Sequence, residues 1–275
     1  MKDNNRILSN DESNLMSINE LPKNNDQFLL NIIHDLRSYL NVITSAAQFM
    51  EHNYKDDKNL KCIEIIKRNS FKMLKLINNL IDSNKIKNNY YKLNKKNIDI
   101  VPMIENTISC IEKFASERNI NLIFDTNEEE CIMAIDPEAI DRVIMNLLSN
   151  AIKFSNENSN IYINLVVKDK EIELSFKDEG CGISKEEKER IFDRFYQGKN
   201  NDNIEGSGIG LNLCMLFVKA HDGKIFLESE INKGSIFTVI LPRKIEEHIE
   251  TVKEEGNLIN KNQAVEIEFS DTYKL

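Results

Sequence analysis

Residues 136–154 read DPEAIDRVIMNLLSNAIKF, and the character of this stretch decides the fold of the larger part of the chain. Asp136 is a helix N-cap and Pro137 sits in the first turn, where its missing N–H costs nothing, so a helix starts here. Ile140, Val143, Ile144, Leu147, Leu148 and Ala151 make its apolar face. Arg142, Asn146, Asn150 and Lys153, spaced four, four and three, make one polar stripe. An Asn amide oxygen can ligate a hard cation such as Mg²⁺ without cancelling its charge, and a lysine one turn on can meet phosphate oxygens. A solvated helix face would carry the same residues, so the meaning of the stripe depends on its neighbours.

Those neighbours are mixed α/β. Pro102 to Ser116 reads as a helix, and NLIFD (121–125) and CIMAI (131–135) read as strands. IYINLVV (161–167) and EIELSF (171–176) flank Lys168–Lys170 as a hairpin, and KIFLES (224–229) with SIFTVILP (235–242) forms a second. Directly after a strand comes DEGCGIS (178–184). Its glycines at 180 and 182 let the backbone turn and approach a flat ligand, and the Asp178 carboxylate can accept from an exocyclic amine such as that of adenine. An ordinary turn has the same pattern. GSGIGLNLC (206–214) then runs into an amphipathic helix, offering backbone N–H groups and a helix N-terminus to a phosphate. It is neither a dinucleotide fingerprint nor a P-loop, because KNNDNIE (199–205) before it is polar and no G-K-[ST] follows. IFDRFYQGKN (191–200), with Arg194 and Lys199, lies between the two glycine motifs as a lid would.

Towards the N-terminus the texture is helical. Leu29, Ile33, Leu36, Leu40, Ile43, Ala47 and Met50 alternate spacings of four and three, and so do Ile63, Ile66, Ser70, Met73, Ile77 and Leu80. HNYKDDKN (52–59) separates the two seams, so they form an antiparallel hairpin. Two helices cannot cover both apolar stripes, and Ile32, Tyr39 and Ala46 widen the first. A second copy completing a four-helix bundle is therefore expected, making the protein a homodimer. The expected division is a disordered polar arm (1–26), the helical hairpin (27–90), a basic Asn-rich linker (84–97, NKIKNNYYKLNKKN), an α/β domain (97–243) and a charged tail (244–275) read as a short helix and loose chain.

Composition narrows the class. Of 275 residues 41% are hydrophobic and 29% charged, and 45 acidic against 36 basic residues give a net charge of −9, which argues against a nucleic-acid partner. No apolar run approaches the roughly 20 residues of a membrane span, so no membrane insertion and a cytoplasmic location are expected. The five cysteines, Cys62, Cys110, Cys131, Cys181 and Cys214, are dispersed and read as reduced and mostly buried thiols.

The order N-x-x-x-N-x-x-K-F, D-x-G-x-G-I, F-D-R-F-Y, G-x-G-x-G-L, then HDGKI and a strand ending in LP resembles the N, G1, F and G2 boxes of sensor histidine kinases, which share the ATP-binding fold of the gyrase, Hsp90 and MutL group. IIHDLRSYLNVI (32–43) resembles the H-box of the same family. The resemblance implies a dimeric four-helix bundle followed by an α/β two-layer sandwich that binds Mg-ATP. It implies that His34 accepts the phosphoryl group and Asp35 takes the hydrogen of its other ring nitrogen. Asn150 would hold Mg²⁺ with Asn146 beside it, Lys153 would touch phosphate, and Asp178 would read adenine. Gly180, Gly182, Gly206, Gly208 and Gly210, with Leu211, would shape the pocket and lid, and Arg194 would place the lid. An aspartate on a response regulator receiver domain would be the final acceptor. Where the family has Thr or Asn followed by Pro after the H-box Arg, this chain has Ser38 and Tyr39, so the helix need not bend there. A serine/threonine kinase of the same ATP-binding group and a noncatalytic dimeric regulator remain the alternatives.

Overall fold

The computed structural model describes residues 37, 40–45, 47–51, 57–88, 90–198, 207–248 and 258–272, without the side chains of 57–62 and 258–260. The expected arm (1–26), Leu29, Ile32, Ile33, His34, Asp35, Leu36, Ser38, Tyr39, Ala46, Lys199 and Gly206 lie outside the described residues.

Helix α1 is described over 40–45 and 47–51 and lies against α2 (Asp57–Lys87). Leu40, Phe71 and Leu74 form a small core with Ile77, and Thr44, Ala47, Ile63 and Ser70 are buried with them. Four other seam positions face outward, Ile43, Met50, Ile66 and Met73 being 44–49% exposed, and Leu80 is half-buried. Heptad spacing identifies the apolar residues but leaves open which of them a single chain covers.

The α/β unit is a two-layer sandwich. Strand β1 (Lys96–Asp99) pairs antiparallel with β3 (Ile132–Ile135) in a small two-stranded sheet. The main sheet has the order β2-β4-β5-β7-β6, from β2 (Asn121–Thr126), β4 (Asn160–Val167), β5 (Glu171–Lys177), β7 (Gly234–Pro242) and β6 (Lys224–Glu230). Only β2 and β4 run parallel; the other neighbours are antiparallel. Period-two alternation puts one row of side chains inward. In register across the three central strands lie Ile163, Phe176 and Phe237, then Leu165, Leu174 and Val239, then Val167, Ile172 and Leu241, all buried. Helices α3 (Ile100–Ser116), α4 (Pro137–Phe154) and α6 (Gly210–Ala220) bury their apolar faces in the same core, whereas the short α5 (Lys185–Lys188) buries no residue.

Two expectations need correction. Residues 84–97 are not a free linker. Helix α2 continues to Lys87, with Ile86 packed on the core; Tyr91 and Asn94 bond to Asp136; and 96–99 form β1, where buried Asn97 exchanges bonds with the Glu246 backbone. Nor are residues 258–272, which hold the expected short helix, loose chain. Helix α7 (Leu258–Glu268) packs on α2, α3 and α4, with Val265 and Phe269 buried and the Phe269 ring 5.0 Å from that of Phe114. The apolar pair spaced by four residues supplies that anchor. Among the described cysteines, Cys131 and Cys214 are buried, Cys110 is half-buried and Cys181 is exposed, and none is in a disulfide.

Candidate functional site

A cavity of about 310 Å³ opens between the C-terminal half of α4, the loop after β5 and the start of α6. Its construction begins at the cap of α4. Asp136 Oδ1 accepts from Ala139 N at 3.2 Å, its Oδ2 accepts from Asn94 N at 2.9 Å and Tyr91 OH at 3.3 Å, and its own N–H donates to His221 Nε2 at 3.0 Å. His221 therefore carries its proton on Nδ1, which donates to Phe217 O at 2.8 Å. Burial pulls its pKa down from the ordinary histidine value and keeps the ring neutral.

With its start fixed, α4 delivers its stripe by helical period alone. Arg142 ion-pairs with Asp82 on α2 and lies off the cavity. Asn146, 5% exposed, donates to Arg142 O at 3.3 Å and lines the cavity with Asn150 and Lys153. The Asn150 amide has no hydrogen-bond partner among the described residues, and no cluster of three His, Cys, Asp or Glu side chains able to hold a metal exists among them. A divalent cation here would draw on neutral amide oxygen and on the ligand's own phosphates, and the donor set fits such a bridge.

Across the cavity, Asp178 ends β5. Its Oδ1 accepts from Gly180 N at 2.9 Å and Ser235 N at 3.2 Å, leaving Oδ2 with no partner among the described residues. Burial pushes this carboxyl up, against the pull of those two N–H groups. One oxygen is thus held by the backbone, and the other is left without a partner among the described residues in a side chain that lines the cavity. Gly182 has φ +69°, and a Cβ there would lie 2.7 Å from the Glu230 carbonyl carbon, so only glycine lets the loop lie on the β6–β7 turn. The loop is tied there by Ile183 N donating to Ser229 Oγ at 2.8 Å and Asn232 N to Cys181 O at 2.8 Å. At the third wall Gly210 opens α6 directly over the Asn146 amide, where a Cβ would collide with Oδ1.

Of the residues singled out from sequence, Asn146, Asn150, Lys153, Asp178, Gly182, Gly208, Gly210 and Leu211 meet at this cavity. Gly180 stands behind it, packed on Phe154 O. Arg194 is turned away: its guanidinium donates to Asn84 on α2 at 3.3 Å and covers the Phe195 ring. The sequence reading missed Lys75 and Asn79 on α2 and Asp271 after α7, all of which line the same cavity. Lys153 Nζ meets Asp271 Oδ2 at 3.0 Å, and Lys75 Nζ meets Asp271 Oδ1 at 2.9 Å and Glu268 Oε1 at 3.2 Å. Among the described residues no helix is long and apolar enough to cross a membrane.

Two family models match this chain. Residues 24–89 match the His Kinase A (phospho-acceptor) domain, and residues 135–245 match the histidine kinase-, DNA gyrase B- and HSP90-like ATPase. The chain is similar to the sensor histidine kinase WalK of Bacillus subtilis, at 29% identity over 80% of this chain and 37% of that protein. It is similar to histidine kinase P4 of Formosa agariphila, at 32% identity over 78% of this chain and 16% of that one. It thus spans well under two thirds of these curated relatives. Among solved structures, full-length ShkA in complex with AMPPNP shares the fold at a TM-score of 0.68 and 18% identity, covering 89% of this chain and 54% of that one. The Acinetobacter baumannii histidine kinase AdeS shares it at 0.56 and 20%, covering 77% and 98%.

Proposed function

The chain belongs to the sensor histidine kinases of two-component signalling, and from that premise we propose that it binds Mg-ATP in the α4–α6 cavity, phosphorylates its own His34 and passes the group to an aspartate of a response regulator receiver domain. The observation that carries this reading is the convergence on one cavity of Asn150 and Lys153 from α4 with Asp178, whose Oδ2 has no partner among the described residues. These are an amide, an ammonium and a carboxylate placed for a phosphate chain at one end and an amine-bearing base at the other.

Asp178 Oδ2 accepts from the adenine 6-amino group while Oδ1 stays fixed by two backbone donors. Lys153 meets phosphate oxygens, and Asn150, with Asn146 beside it, would hold Mg²⁺, which would supply charge neutralisation to the phosphates. Gly182, Gly208 and Gly210 with Leu211 close the walls, Gly180 and Gly206 shape the turns, and Arg194 holds the lid against α2. At transfer the His34 lone pair forms a bond to the γ-phosphorus, the bridging P–O bond breaks and ADP leaves. Asp35 stabilises the imidazolium through its other N–H. The N–P bond is then broken in favour of the receiver carboxylate. Residues 27–90 act as the phosphotransfer unit and 97–243 as the ATP-binding unit. The outward Ile43, Met50, Ile66 and Met73 support burial against a second copy in a dimeric bundle.

The test is incubation with γ-³²P-ATP. The wild-type chain should take up label that is stable in alkali and lost in acid, while His34→Ala takes up none and still binds Mg-ATP. Label retained in His34→Ala, or label stable to acid, refutes the assignment.

A further inference from the structure

The described C-terminal residues reach the cavity wall at Asp271. From α7, Val265 and Phe269 are sunk into the core, and Ile267 packs on the Leu40, Phe71 and Leu74 cluster. Lys261 meets Asp141 of α4 at 3.1 Å, and Glu266 meets Lys67 of α2 at 3.5 Å. Those anchors hold Asp271 between two ammonium groups, Lys153 from the ATP-binding unit and Lys75 from the hairpin, whose side chains are only 9% and 14% exposed. Burial pushes the Asp271 carboxyl up, but Lys75 and Lys153 outweigh it and hold it below the usual carboxylate value, so it is ionised at neutral pH. Burial pulls Lys75 down, yet Glu268 and Asp271 together raise it.

A carboxylate bridging two buried lysines at the wall of a phosphate site is the chemical equivalent of a phosphate oxyanion there. A nucleotide phosphate brought to Lys153 would face this carboxylate within contact distance, and two anions in a partly desolvated site repel strongly. A further polar group lies at the same wall. The Asn79 side chain is 1% exposed, and its Nδ2 has no hydrogen-bond partner among the described residues. It is an N–H donor that neither the tail nor the helix satisfies.

We propose that residues 258–272 form an internal competitor of the nucleotide: Asp271 takes the lysine pair that a polyphosphate would take, so tail docking and ATP binding exclude one another. The inference rests on the nucleotide reading of the cavity and adds to it a built-in control. Because the same segment bridges α2 and α4, its release also removes one of the ties between the hairpin and the ATP-binding unit. If the tail is docked in about nine tenths of molecules, the apparent Kd for ATP stands about tenfold above its intrinsic value.

The test uses the full chain and Asp271→Asn, which keeps the size of the side chain and leaves Val265 and Phe269 in place. Calorimetric titration with Mg-ATP and, separately, with adenosine should show ATP binding about tenfold tighter in the variant and adenosine unchanged. In the wild type, saturating Mg-ATP should accelerate amide exchange over 258–272, and adenosine should not. Equal ATP affinity in the two proteins, or weaker ATP binding in the variant as a metal-holding carboxylate would give, overturns the proposal while leaving the nucleotide site standing. An equal gain for adenosine and ATP marks a structural effect and also overturns it. Absence of ATP and adenosine binding in both proteins overturns the nucleotide reading and this inference with it.

Discussion

Gly210→Ala separates stability from ligand binding at a single position. Gly210 is the first residue of α6, its φ is not in the left-handed region, and the space where a Cβ would go is taken by the Asn146 Oδ1. The obstacle is the end of a side chain, so the Asn146 amide can swing aside. Doing so breaks the 3.3 Å bond from its Nδ2 to Arg142 O, which costs about 1 kcal/mol. Replacing glycine by alanine in a helix returns roughly 0.5–1 kcal/mol. The net change in folding free energy is therefore close to zero, and the midpoint of urea denaturation should stay near that of the wild type. Nucleotide binding should behave differently, because the displaced amide leaves the polar stripe opposite the ligand's phosphates. Loss of one hydrogen bond to a charged group is worth about 1.5–3 kcal/mol, or roughly ten- to a hundredfold in Kd. Calorimetric titration of Mg-ATP alongside urea unfolding reads both quantities. An unchanged Kd with unchanged stability would refute the assignment of Asn146 to the site. Gly182→Ala is the control in the opposite sense: its positive φ and the Glu230 backbone in the way leave nothing free to move, so stability and binding should fall together.

Asp178→Asn keeps an oxygen for the Gly180 and Ser235 N–H groups, and the burial cost of the charge disappears. Since the raised carboxyl favours the protonated fold, its ionisation costs stability as pH rises from about 3.8 through the folded pKa. The variant should therefore melt at or above the wild-type temperature at pH 7 while binding ATP about ten- to a hundredfold more weakly; a lower melting temperature with normal binding contradicts the assignment. His221 titrates in the other direction. With its pKa lowered from 6.5, its contribution is present above pH 6.5 and lost as pH falls through the folded value, so wild-type stability should decline on acidification below 6.5. His221→Gln should flatten that decline in urea-unfolding series between pH 7 and 5, and an unaltered slope would show that another group is responsible. Met73→Glu places like charges on the outward seam and should shift the sedimentation of the protein from dimer to monomer at micromolar concentration. A persisting dimer would show that another surface holds the copies together.

Elements whose residues interact over short range were legible. The Asp136 cap with Pro137 fixed the start of α4, and from there its period carried Asn146, Asn150 and Lys153 to one side without tertiary information. The two antiparallel hairpins followed from alternation between turns. What escaped the reading lies far apart along the chain. Lys153 and Asp271 meet across 118 positions, and neither residue has a local pattern announcing the other. In VEIEF (265–269) the apolar residues alternate as in a strand, which hides the helical pair Val265 and Phe269 that seats α7. β1 escaped because KNID has one apolar residue in four, and its buried Asn97 bonds to the distant Glu246 backbone. The heptad seams held for composition but only half for burial, since one chain covers Leu40, Ala47 and Ile63 and leaves Ile43, Met50 and Met73 outward.

The Asp136 carboxylate is a mechanical joint. The chain leaving α2 is fastened to one of its oxygens through Tyr91 and Asn94, the other caps α4, and its backbone N–H is pinned by the imidazole at the end of α6. Torque along α2 would therefore bear, through those bonds, on the very turn that aims the amides of α4. A twist of α2 would reach the cavity wall as a reorientation of Asn146 and Asn150.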